Sequence, residues 1–209
     1  MAAGKKLGLA IAGFPLSEVR PRNWKLPELG GIDAVLAGSA NAFRHGGPQL
    51  QALIHRPVLA VGMATAEAAV TAGFRVAGTG TGGLQALLDE IGPRYSHLLR
   101  LAGEDHVPID LPAGTELTSR VIYGMENIAI SREFFECLRE SAIVLLHSAA
   151  AAAHFAAECD RLGIERSRIT LAAIGPRVLE VVGAGWHDAV AAKTPSDAEL
   201  LALVKDMCQ

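Results

Sequence analysis

Short apolar runs recur along the chain at 9–14, 34–39, 57–62, 75–80, 97–103, 143–148, 169–175 and 188–193, each ending in small or polar residues. Runs of this length without clean alternation fit strands buried on both faces of a sheet. Between most of them lie stretches of helical length, at 64–72, 84–91, 149–162 and 197–207. Strand–helix alternation of this kind predicts an α/β fold with parallel sheets covered on both sides. Residues 116–123 read differently. Glu116, Thr118, Arg120 and Ile122 alternate with Leu117, Ser119, Val121 and Tyr123, the period of a half-solvated strand. A second extended stretch, PLSEVRPR at 15–22, is the expected partner in a narrow antiparallel ladder.

The pattern also repeats. IDAVLAGSANAF…PVLAVGMATAEAAVTAGF…GGLQALLDEI aligns with SAIVLLHSAAAAAHF…ITLAAIGPRVLEVVGAGW…AELLALVKDM, matching Ser39 to Ser148, Gly62 to Gly175, Gly73 to Gly185 and Leu84 to Leu200. Two similar α/β units are therefore expected, each a doubly wound, flavodoxin-like parallel sheet. One unit is discontinuous, 1–14 plus 126–209; the other is inserted, 23–116. The stretches 15–22 and 117–125 form the two-stranded ladder joining them.

Composition narrows the class. The 209 residues suffice for one large or two small domains, and 50% hydrophobic content excludes disorder. A net charge of −3, with basic residues scattered, argues against a nucleic-acid partner. Cys137, Cys159 and Cys208 form no CxxC pair and read as reduced thiols. No run approaches the ~18 apolar residues of a membrane span, and the opening apolar segment lacks a clean cleavage site. A soluble, cytoplasmic monomer acting on a small molecule is expected.

Ligands of such sheets bind outside the carboxyl ends of strands. Those ends carry Ser39-Ala40-Asn41, Gly62-Met63-Ala64-Thr65, Gly80-Thr81, Gly103-Glu104, Ser148-Ala149 and Gly175-Pro176. Each opens a predicted helix, whose free amides favour an anion, although Ser39, Thr65 and Ser148 also suit plain capping. Arg177 offers a cation for a carboxylate. GTGTGG at 78–83 fits G-x-G-x-x-G, with Glu104 near the distance of a ribose-binding acid, but it follows the fourth strand. Nicotinamide binding is accordingly the third reading. No G-x-S-x-G elbow and no paired-histidine metal spacing occurs. Tyr123, on the ladder strand, has two readings, a donor of a proton or hydrogen bond to a leaving group or an amphipathic residue packed at a domain junction.

Taken together, DAVLAGSANAF (33–43), PVLAVGMATAEAAVTAGF (57–74), HLLRLAGEDH (97–106), RVIYGM (120–125), IVLLHSAAAAAHF (143–155), LAAIGPRVLEVVGAGW (171–186) and SDAELLALV (196–204) resemble the uroporphyrinogen-III synthase family. The resemblance implies a cofactor-free enzyme of tetrapyrrole biosynthesis. It would cyclise hydroxymethylbilane to uroporphyrinogen III, inverting ring D through a proposed spiro intermediate. It also implies two α/β domains with substrate in the cleft between them. Contacts would fall at Ser39, Gly62, Thr65, Ser148 and Gly175, extended by position to Ala40, Asn41, Met63, Gly103, Ala149, Pro176 and Arg177. Tyr123 matches the tyrosine that assists loss of the hydroxyl as water. The sequence departs from the family at His147-Ser148, where T-S is usual, and at Val178-Leu179, where T-A is usual. The family's usual first strand and helix also have no counterpart ahead of 9–14. The alternative reading is an inactive homologue that binds a tetrapyrrole or another polycarboxylate.

Overall fold

The computed structural model describes residue 4 and residues 6–208. Contacts divide it into two compact units, one running to Glu18 and resuming at Asn127, the other spanning Val19–Glu126. Among the described residues no helix is long and apolar enough to cross a membrane.

The Val19–Glu126 unit is built on β1 (Ser17–Pro21), β2 (Ala34–Ala37), β3 (Val58–Val61), β4 (Val76–Gly80), β5 (His97–Gly103) and β6 (Glu116–Asn127). They lie in the order β1-β6-β5-β2-β3-β4. Every pairing from β6 across to β4 is parallel. At the β1 edge, Ile128 N–H donates to Leu16 O and Arg22 N–H to Ile122 O, the pairing of an antiparallel ladder. Side-chain alternation sends Val35, Ala37, Leu99 and Leu101 to one core and Ala34, Leu36 and Leu98 to the other. The first face is covered by α1 (Asn41–His45), a 3-10 turn (Pro48–Leu53) and α2 (Met63–Thr71), the second by α3 (Leu84–Ile91).

Two expectations are corrected here. Counting from β2, the parallel strands run 3-2-1-4-5, not the flavodoxin order 2-1-3-4-5. The order therefore reverses between β2 and β5, and the crevice belongs above those two strands. Residues 117–125, read as a linker, instead pair with β5 from Leu98–Leu117 to Gly103–Tyr123 and belong to this sheet. Their half-polar alternation reflects a strand near an edge, flanked by β5 and β1, rather than a free ribbon.

The other unit carries a three-stranded parallel sheet, β7 (Ala142–Leu146), β8 (Ile169–Ala173) and β9 (Asp188–Ala191), in that order. Around it pack α4 (Arg132–Leu138), α5 (Ala149–Leu162), α6 (Pro176–Leu179) and α7 (Asp197–Met207). Ser131, Ser148 and Ser196 each accept from the N3 amide of their helix, which satisfies donors that helices leave orphaned. A stack of rings, Phe14–Phe134–Phe155–Trp186, with centroid separations of 4.5, 5.9 and 5.7 Å, runs through the core. Arg166 lies over Trp186 at 4.6 Å and donates to Val182 O and Ala184 O, closing the 182–186 turn.

Residues 9–14, expected as a strand, form none. They line a hollow of about 760 Å³ together with β7, α4 and α7, and among the described residues no backbone hydrogen bond joins them to β7. The apolar character of the run is used by side chains alone. Leu9 packs with Leu200 and Val204, and Phe14 stacks on Phe134.

Glu158 is the buried charge of this unit. Its carboxylate takes Arg161 Nε at 2.6 Å, Arg161 Nη2 at 2.8 Å and the Ile130 amide at 2.8 Å. These bonds, Arg161's first, hold its pKa down to about 2, against the opposing effect of burial. A depressed carboxylate stabilises the fold above its unfolded pKa and loses that contribution as pH falls toward the folded value. Acid unfolding followed by circular dichroism should therefore show stability falling between about pH 4.5 and pH 2. Glu158→Gln should flatten that slope and cost about 1–3 kcal/mol at neutral pH.

Candidate active site

The reversal of strand order places a hollow of about 380 Å³ in the Val19–Glu126 unit. Its walls are Gly38 and Ser39 from the end of β2, Val61 from β3, Arg100–Gly103 from β5, the following Glu104–Val107 turn and Tyr123–Met125 from β6, with Gly83 and Leu84 from the start of α3. Strand ends and helix starts converge there because parallel pairing puts all carboxyl ends on one side.

Tyr123 is set by a register shift. Ala102 pairs with Val121, but Gly103 pairs with Tyr123, the shift falling between Ala102 and Gly103. The ring then lies directly on Gly103. A Cβ there would sit 2.7 Å from Tyr123 Cε2 and 2.9 Å from its hydroxyl oxygen. A larger residue at this position would have to push the ring aside. One residue on, Gly124 is buried beneath an ion cluster in which Arg22 donates to Glu104 Oε2 at 2.9 and 3.2 Å and also pairs with Glu126. Glu126 first, then Glu104, raise the Arg22 guanidinium above its ordinary value. Glu104 N–H also donates to Tyr123 O at 3.0 Å, fastening the β5 turn to β6.

Arg100 lines the same hollow. It is 4% exposed, in the apolar run of β5, and its Nη1 donates to Val107 O at 2.9 Å. Burial pushes its pKa below the ordinary arginine value, with Tyr123 opposing. Ser39 Oγ accepts from Asn41 N–H at 3.3 Å.

Of the residues expected from sequence, Ser39, Gly103 and Tyr123 share the hollow. Ala40 is the buried N-cap of the five-residue α1, and Asn41 begins it. Gly62, with φ of 77°, caps α2; Met63 is exposed and Thr65 buried, and the hollow is reached from β3 by Val61 instead. Ser148 caps α5 with Oγ accepting from Ala151 N–H, and Ala149 opens that helix. Gly175, Pro176 and Arg177 form the start of the four-residue α6. These last five residues lie in the other unit, at the ends of β7 and β8. Gly103 opens no helix; an irregular stretch follows it to β6. Among the described residues no group of three His, Cys, Asp or Glu is arranged to hold a metal ion.

A model of the family described as uroporphyrinogen-III synthase HemD matches residues 1–202. The chain belongs to the uroporphyrinogen-III synthase family. The crystal structure of uroporphyrinogen-III synthetase from Helicobacter pylori 26695 is similar over 96% of both chains, with TM-score 0.60 and 18% identity, a likeness of fold. Wild-type uroporphyrinogen III synthase from the extremely thermophilic bacterium Thermus thermophilus matches at 20% identity over 100% of this chain and 92% of its own, with TM-score 0.41. No curated protein sequence matches the chain.

Sequence reasoning passed over Arg100 and Val107, and took Gly83 only as part of a possible dinucleotide motif and Leu84 only as a repeat position. One signal was legible: a lone cation inside HLLRLAG, an otherwise apolar strand run, is a charge that folding must bury. The others reach the hollow only through the strand order. Gly103→Ala should cost about 1–3 kcal/mol in urea unfolding, because the added methyl displaces the Tyr123 ring. A Gly103→Ala/Tyr123→Ala double variant should cost clearly less than the sum of the single changes, since the three atoms nearest the added methyl all belong to the Tyr123 ring and hydroxyl.

Proposed function

We infer that this protein has the activity of its family: it cyclises hydroxymethylbilane to uroporphyrinogen III, inverting ring D and releasing water. The family match over 1–202 carries the reaction, and the Tyr123–Gly103 contact carries the proposed role of the site. In the reaction the C–O bond of the hydroxymethyl group breaks and the hydroxyl leaves as water, taking a proton. The Tyr123 O–H, held on Gly103 at the wall of the hollow, donates to that oxygen. The substituted carbon of ring D bonds the methylene so freed, giving a spiro intermediate. The old bond of that carbon to the bridging methylene then breaks, and the bridging methylene bonds the unsubstituted α-carbon of ring D. This α-carbon gives up the proton that restores the phenol, so the balance closes with loss of one water. General acid help of this kind lowers the barrier without a metal or cofactor in the step.

Positioning is the larger task. The bilane ring-closes unaided, so the enzyme must hold it where only the substituted position of ring D is within reach. The exposed apolar side chains Val107 and Met125 at the hollow offer surface for pyrrole rings. The bilane carries eight carboxylates while the chain is net negative, so its side arms need local donors rather than bulk attraction. Ser39, Ala40, Asn41, Gly62, Met63, Thr65 and Gly103 are the proposed contacts in this unit. Ser148, Ala149, Gly175, Pro176 and Arg177 are those in the other.

The test is to incubate the protein with freshly made hydroxymethylbilane and resolve the isomers. Isomer III is expected; isomer I alone, with saturable binding, marks the inactive-binder reading instead. Tyr123→Phe should lower kcat about 10- to 100-fold with KM little changed, because one proton donor is lost while the binding surface stays. An unaltered kcat would remove the acid role.

A further inference from the structure

We propose that Arg100 is the carboxylate-binding cation of the hollow, taking one side arm of the substrate by its guanidinium; this rests on the cyclase reading above. Arg100 occupies the middle of β5, paired in register with Leu36 on one side and Ser119 on the other. A position so deep in a parallel sheet ordinarily takes an aliphatic residue, as its neighbours Leu98, Leu99 and Leu101 do. A guanidinium offers five N–H donors, and only Nη1 is used here, by a single backbone carbonyl. No carboxylate among the described residues pairs with Arg100. The nearby Glu104 is committed to Arg22, which is held by two acids and has no capacity to spare. The fold thus carries a buried cation to which the described residues supply no paired carboxylate, an arrangement that costs free energy unless an anion arrives.

The approach to Arg100 favours an anion as well. The hollow above it is lined by Gly83 and Leu84, the N-terminus of the eight-residue α3, which has no side-chain cap. Gly82 and Gly83 turn into that helix with φ of 88° and 100°, angles that side-chain-bearing residues rarely adopt. Free amides and the positive helix end therefore face the same space as the guanidinium. In this setting the glycine-rich GTGTGG run helps form a carboxylate pocket rather than a dinucleotide loop. Arginine suits the role because its planar fork meets a carboxylate with two parallel hydrogen bonds.

Arg100→Met and Arg100→Lys decide between ligand binding and scaffold. Arg100→Met should raise KM for hydroxymethylbilane about 10- to 100-fold while kcat stays within about threefold. Its affinity for uroporphyrin III, the stable oxidised octacarboxylate, should fall by a similar factor when followed by quenching of tryptophan fluorescence. The thermal midpoint of Arg100→Met should equal or exceed that of the unmodified protein, because an unpaired buried charge has been removed. Arg100→Lys, which keeps the charge without the fork, should recover part of the affinity. Unchanged KM and unchanged uroporphyrin III affinity in Arg100→Met would overturn the proposal. So would a lower midpoint with unchanged affinity, since Arg100 would then serve only to tie the loop at Val107. Formation of isomer I alone by the unmodified protein would overturn the cyclase reading, and the uroporphyrin III comparison would still decide Arg100.

Discussion

A tyrosine ring resting on a glycine is the contact on which the candidate site depends. Gly103 ends β5, Tyr123 comes from β6, and the register shift between Ala102 and Gly103 brings them face to face. Any side chain at Gly103 would occupy the volume of the ring. The same strand ends hold the Arg22–Glu104–Glu126 cluster over Gly124, where an added Cβ would meet the ends of the Glu104 and Arg22 side chains. Two glycines on neighbouring strands thus allow a phenol and an ion cluster to pack directly on backbone. The phenol's hydroxyl is thereby fixed by the sheet itself instead of by a mobile loop.

Strand order supplies the space that this contact borders. With β2 and β5 adjacent and their following segments leaving in different directions, no helix crosses the gap above them. Elsewhere in the unit the chain closes over its strand ends: α2 follows β3 directly from Gly62, and α3 follows β4 through Gly82 and Gly83. Apolar packing, buried charge and opening are in this way assigned to separate places. Val35, Leu99 and Leu101 secure one face and Leu36, Leu59 and Leu98 the other, while Arg100 interrupts the second face where the hollow begins.

The other unit shows how the same kind of pattern behaves when no strand pairs with it. Residues 9–14 carry strand-like hydrophobicity, yet among the described residues no backbone hydrogen bond joins them to β7. Without backbone hydrogen bonds the run adopts no strand, and its apolar side chains find Leu200, Val204 and Phe134 instead. Hydrophobic burial and strand pairing usually coincide, so a pattern that reports the first is read as the second. Here they separate.

Local chemistry along the chain determined the helices and most strands of this protein. Periodicity alone located α3 at 84–91, α5 at 149–162 and α7 at 197–207, and serine caps together with Gly163 mark ends that hydrogen bonding then satisfies. The short helices at Asn41–His45 and Pro176–Leu179 were legible only as starts, at Ser39-Ala40-Asn41 and Gly175-Pro176, because one turn is too brief to establish a period. Family membership was also legible, since it rests on the order of motifs. Tertiary structure alone decided that Ser39, Gly103 and Tyr123 share a hollow with Arg100, that Gly62 and Thr65 stand outside it, and that 117–125 joins the sheet. The reason is that pairing between strands is a contest among distant segments for the same backbone donors and acceptors. Local periodicity records which face of a strand is buried, and carries no record of which neighbour it will meet.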